Sequence, residues 1–206
     1  AWFAGWLPAS VAASRWHRIF STIIVLAISA EMVWILGAAV LGTASHFNDS
    51  SPLAIGLYAT MGALAVVLTS ASLVYGFVIL RDRHSRLDPV FRQSVGIGLI
   101  ATFVLTVAVA GYMSGTGSHF VGGAHSDSRG LAPMGWARDG GDLRVAHFFA
   151  THAMHFIPAF GFIASRALRA GHGRVAVFSF AGLFVALVGY AFAEALSGRA
   201  FLSMLS

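Results

Sequence analysis

Cysteine is absent from this 206-residue chain, and so is lysine, because all thirteen basic residues are arginine. Without cysteine the chain forms no disulfide, no thiolate-bound iron–sulfur cluster and no cysteine-ligated zinc site, and it runs no thiol catalysis. Without lysine it forms no Schiff base with retinal or pyridoxal phosphate. Charge of either sign is scarce. Charged residues make up 10% of the chain, against about 25% in an ordinary soluble domain. Short catalytic signatures are missing too. Gly115-Thr116-Gly117 follows no strand and precedes no lysine, so it is not a nucleotide loop. Ser118 and His119 are merely neighbours in sequence, which says nothing of a triad. No H-E-x-x-H run occurs, which counts against a membrane metallohydrolase.

Apolar side chains fill the space that charge leaves. They make up 57% of the chain, and the mean hydropathy is +0.78. Several apolar runs reach the roughly 20 residues that a helix needs to cross a bilayer. The sequence therefore predicts an all-α integral membrane helical bundle whose solvent is the lipid bilayer. Five spans are expected within one transmembrane domain, at about 15–43, 53–80, 91–113, 142–168 and 175–196.

The net charge of +5 and pI near 10.7 do not point to nucleic acid, because the arginines gather at span ends as topology signals do. Nine of them (Arg15, Arg18, Arg81, Arg83, Arg86, Arg92, Arg166, Arg169, Arg174) fall on one side. Four (Arg129, Arg138, Arg144, Arg199) fall on the other. The richer side is expected to be cytoplasmic. That places the N-terminus inside and the C-terminus outside, in what reads as a bacterial inner membrane.

Residues 1–14 lack the basic start and apolar core of a signal peptide. Trp2, Trp6 and Trp16 suit a segment at the membrane interface. Pro52 suits a helix start. Tyr58 and Tyr75 are expected as interfacial anchors. Small residues trace stripes that read as packing faces: Gly56, Thr60, Ala63 and Val67 on the second span, and Gly182, Ala186, Gly189 and Ala193 on the fifth. Gly96, Gly98 and Gly111 are expected packing positions on the third. Ala170-Gly171-His172-Gly173 reads as the turn before the fifth span.

Chemistry concentrates on the fourth span, in the run Arg144-Val145-Ala146-His147-Phe148-Phe149-Ala150-Thr151-His152-Ala153-Met154-His155-Phe156. At about 100° per residue, His152 and His155 share a face and His147 lies about 80° round from His155. Imidazole is costly in hydrocarbon and is kept there for ligation, proton transfer or pairing. Asp142 suits the N-cap of this span, and Pro158 would free a backbone carbonyl past the histidines. Counted from Arg144, His147 is about 4–5 Å deep, His152 about 12 Å and His155 about 16 Å. Glu31, near the middle of the first span, needs a partner or a proton. The outer loop, about 114–141, is too long for a mere connector and carries His119 and His125. The expected site is an outward-facing polar pocket lined by the fourth span, floored by Glu31 and roofed by this loop.

These residues support several functions. The leading one is a haem- or metal-binding subunit of an electron-transfer system. A tetrapyrrole would be held by one of His152, His155 or His147, or a metal ion by His119, His125 and His147. His152 and His155 approach from one side, so they cannot be the two axial ligands of one haem. Any second ligand would be a loop histidine or a methionine (Met32, Met61, Met113, Met154). The five-span plan with membrane histidines resembles the cytochrome b subunits of respiratory oxidoreductases. It departs from their facing-helix histidines, since the second, third and fifth spans carry none. A second function is a proton or quinone site without metal, built from Glu31, His155 and Tyr190 with Glu194 and Arg144 as polar partners. A third is a non-catalytic accessory or pigment-organising subunit of a respiratory or photosynthetic complex, associated with other membrane subunits. Plain hydrogen bonding of the histidines within the bundle competes with all three.

Overall fold

The structure is a computed structural model that describes residues 6–126 and 130–201. Trp2 and Arg129 lie outside the described residues. In chain order the elements are α1 (Ala9–Ala12), α2 (Arg15–Val40), α3 (Pro52–Arg81), α4 (Pro89–Thr116), β1 (Phe120–Val121), β2 (Gly141–Asp142), α5 (Leu143–Ala167) and α6 (Ala170–Leu196). The five long helices, α2 to α6, are each long and apolar enough to cross a membrane. They match the five expected spans, and the protein is an all-α integral membrane protein. The best window of α5 has a mean hydropathy of 1.2, against 2.1 to 2.3 in the other four. The histidine-bearing helix is thus the most polar of the set.

Side-chain caps and first-turn prolines fix the starts of α2, α3 and α4. Ser14 accepts from the His17 amide, and Ser51 accepts from the Ala54 amide with Pro52 in the first turn. Asp88 accepts from the amides of Val90 (2.8 Å) and Phe91 (3.2 Å). Gly117, at φ +66°, ends α4 in the left-handed conformation that glycine adopts without strain.

The chain divides into two compact units, residues 1–86 and 87–206. In the first, α2 and α3 pair as neighbours. His17 Nδ1 and the Tyr75 hydroxyl share a hydrogen bond of 2.8 Å, and Phe20 packs edge-on against the Tyr75 ring. Tyr75 is 5% exposed. It is a buried partner of His17 rather than an interfacial anchor.

In the second unit α4 packs most closely on α5, and α5 on α6. The core is built of Val109, Val145, Ala146, Ala150, Ala153, Ile157, Phe184 and Val188 with their neighbours. A Cβ on Gly161 would lie 1.9 Å from Ser94 Oγ, and one on Gly98 would lie 2.9 Å from Pro158 Cδ. Glycine at these two positions is therefore what lets the α4 and α5 backbones approach.

Two expectations are corrected here. The stripe Gly182, Ala186, Gly189 and Ala193 is exposed, and nothing lies within 4 Å of a Cβ on Gly182 or Gly189. The buried side of α6 is instead Val177, Ala181, Phe184, Val188, Ala191 and Ala195. On α3, Gly56, Thr60 and Ala63 are likewise exposed. The buried side of α6 is itself half alanine, so a stripe of small residues does not by itself select the contact face. The second correction concerns the start of α6. It begins at Ala170, so Gly171, His172 and Gly173 form its first turn rather than a loop. Gly173 is buried there, and a Cβ on it would meet the Val90 methyls at 3.0 and 3.1 Å. Glycine at that position serves helix contact, not a reversal.

Candidate functional site

The connection between α4 and α5 folds onto the end of the second unit. β1 and β2 pair antiparallel, Phe120 with Asp142 and Val121 with Gly141. Leu131 bridges Trp136 within the same segment. A Cβ on Gly141 would lie 1.9 Å from the Ala195 carbonyl oxygen, so β2 rests directly on the last turn of α6. Trp136 packs edge-on against Phe148 at 5.5 Å and against Phe201 at 6.1 Å. The segment therefore packs over the first turns of α5.

Asp142 anchors this arrangement. It is 3% exposed. It accepts from the amides of Arg144 and Ala137, both at 3.0 Å. It also accepts from the Arg144 guanidinium, at 3.0 Å from Nε and 2.7 Å from Nη2. Arg144 Nη2 donates further to the Gly135 carbonyl at 3.0 Å, and its guanidinium lies 5.2 Å from the Phe120 ring centre. His119 and His125 both pack on that ring, at 4.0 and 5.4 Å. The His119 carbonyl accepts from the Leu143 amide at 2.9 Å. Arg144 is thus a structural clamp between the connection and α5.

Along α5 the three histidines have different surroundings. His147 is partly buried, and its Nδ1 is shielded from solvent with no hydrogen-bond partner among the described residues. His152 is partly buried. Its Nδ1 donates to the Phe148 carbonyl at 2.7 Å, and its ring stacks on the Phe148 ring at 4.1 Å with a 27° interplanar angle. Thr151 Oγ1 lies 3.1 Å from the same nitrogen. The carbonyl accepts only, so in the neutral ring Nδ1 carries the proton and Nε2 keeps its lone pair. His155 is exposed, with its ring 5.4 Å from that of His152. At helical spacing Phe148, Thr151, His152 and His155 form one side of α5. The α4-facing residues Ala150, Ala153, Ile157 and Gly161 lie on another, and all four are buried.

Three further candidates lie on other helices. Glu194 is 6% exposed and ion-paired with Arg199, at 2.5 Å from Nη2 and 3.0 Å from Nε. The hydrogen bond and charge of Glu194 hold the Arg199 guanidinium above its usual range. Tyr190 is 39% exposed on α6. Glu31 belongs to the first unit, and its Oε1 is shielded with no hydrogen-bond partner among the described residues. Among the described residues, no three His, Asp or Glu side chains gather into a group that could hold a metal ion. His119, His125 and His147 accordingly form no such group.

The residue that sequence reasoning passed over is Phe148. Its signal was its place four residues before His152, one helical turn, where a backbone carbonyl can meet an imidazole Nδ1. The sequence marks Asp142 as a cap, but its grip on Ala137 depends on the connection folding back. No protein-family model matches the chain, and neither a curated protein nor a solved structure matches it.

Proposed function

We propose that this protein is an electron-transfer membrane subunit that binds a haem or related tetrapyrrole through His152 of α5. One observation carries this reading. The His152 ring is fixed by the Nδ1 bond to the Phe148 carbonyl and by stacking on Phe148, and Nε2 is left basic. A backbone carbonyl on the far nitrogen is how metal-ligating histidines are commonly oriented, and it raises the basicity of the ligating atom. A single imidazole suits a tetrapyrrole, which supplies four ligands of its own. It does not suit a bare metal ion held by protein alone. When bound, such a group would supply one-electron transfer. His155, on the same side and 5.4 Å away, would flank the group rather than ligate it from the opposite side.

On this proposal the arginine-rich ends face the cytoplasm of a bacterial cell, and the N-terminal end of α5 faces outward. Electrons would be exchanged with other membrane subunits or with quinone. The absorption spectrum of the purified protein tests the reading. A Soret band is expected, with about one tetrapyrrole per chain or fewer. His152→Ala should abolish the band, while His155→Ala should keep it with a shifted maximum. A purified, folded protein without a chromophore, or a band insensitive to His152→Ala, would refute it.

A further inference from the structure

We propose that the groove between α2 and α3 binds an anionic phospholipid, with one acyl chain in the groove and the phosphate at Arg15 and Arg81. The groove measures about 420 Å³ and is lined by Trp16, Ile19, Phe20, Ile23 and Val74. Its lining is almost wholly apolar, so it accepts a hydrocarbon chain and offers nothing to a polar ligand. Trp16, Ile19 and Ile23 are 43%, 51% and 47% exposed, so it opens outward. The His17–Tyr75 hydrogen bond sets the start of α2 beside the end of α3, so the basic residues of those two helix ends lie toward one end of the groove.

Two of these lie on the groove's own faces. Arg15 is one helical turn from Ile19. On α3, Val74, Phe77 and Arg81 follow i, i+3, i+7 spacing and share a stripe. The Arg81 guanidinium sits 5.5 Å from the Phe77 ring centre, which holds it on that stripe. This end of the first unit carries Arg15, Arg18, Arg81, Arg83 and Arg86 against one acid, Asp82.

Charge selects the occupant. A lipid phosphate without a compensating ammonium gains from both guanidinium groups, and a zwitterionic headgroup gains far less. A second copy docked by twofold symmetry would bring the same excess of arginine against itself.

The full chain in nanodiscs tests this, with Trp16 as sole reporter after Trp2, Trp6, Trp34 and Trp136 are changed to Phe. Brominated-chain phosphatidylglycerol should quench Trp16 more than brominated-chain phosphatidylcholine at equal mole fraction. At about fivefold in occupancy per arginine, Arg15→Gln with Arg81→Gln should remove the preference. Arg83→Gln with Arg86→Gln, equal in charge but off the groove, should leave it. Equal quenching by the two lipids would overturn the site. So would equal loss in both double variants, which marks a diffuse surface potential. Displacement of the phosphatidylglycerol by a long-tailed quinone would also overturn it. If the single-Trp protein does not fold, the headgroup classes retained by the detergent-purified chain decide, compared with those retained by Arg15→Gln/Arg81→Gln. Phosphatidylglycerol retained equally by both would overturn the proposal.

Discussion

Asp142 is the residue on which the connection and the histidine helix both depend. A carboxylate 3% exposed survives in an apolar setting only because two amides and a guanidinium surround it. Asp142→Ala leaves Arg144, with a side chain 26% exposed, facing an empty acceptor site. The expected cost is about 3–5 kcal/mol, seen as a lowered thermal midpoint of the detergent-purified protein. Asp142→Asn should cost less, because the amide oxygen still accepts. Thr102 offers a second test. It is 2% exposed, donates to the Gly98 carbonyl at 2.9 Å and accepts from the Met154 amide at 2.8 Å. Thr102→Val keeps the volume and removes both bonds, so a loss of about 1–3 kcal/mol is expected in the same measurement.

Helix contact, the next scale, depends on which glycines face a neighbour. Gly98 and Gly161 have no room for a methyl group, whereas Gly62 and Gly111 have nothing within 4 Å of a built Cβ. Gly161→Ala should therefore destabilise by about 1–3 kcal/mol through overpacking. Gly62→Ala and Gly111→Ala should be neutral or stabilise by up to about 1 kcal/mol through helix propensity. Thermal midpoints of the three variants order the helix contacts directly. If Gly161→Ala matched Gly62→Ala, the close α4–α5 approach at Ser94 would be refuted. Pro158 belongs to the same contact. It removes one amide donor from α5, yet the helix runs from Leu143 to Ala167, and the proline ring fills the space that Gly98 leaves open.

For the molecule as a whole, the missing cysteines become an experimental advantage. A single introduced cysteine is the only thiol present, so its sidedness can be read without background. On the proposed topology, which puts the arginine-rich ends inside, Ser126→Cys should react with an impermeant maleimide added to intact cells. Ser85→Cys should react only after the membrane is opened. Labelling in the reverse pattern would invert the topology and move the His152 face to the opposite half of the bilayer.

Five spans were legible because run length and hydropathy are read from consecutive residues, without any long-range contact. Pro52 and Asp142 were legible as starts because capping is local in sequence. The pairing of His152 with His155 was also readable, since three residues make nearly one helical turn. Three outcomes lay beyond the sequence. It could not show that the small-residue stripe of α6 stays bare while Phe184 and Val188 face the core, or that Gly173 belongs inside a helix. Nor could it show that Tyr75 closes on His17 instead of reaching for the interface. These depend on which surfaces meet, and residues far apart in the chain set that choice. Periodicity marks the faces of each rod, and only the packed arrangement decides which of those faces find a neighbour.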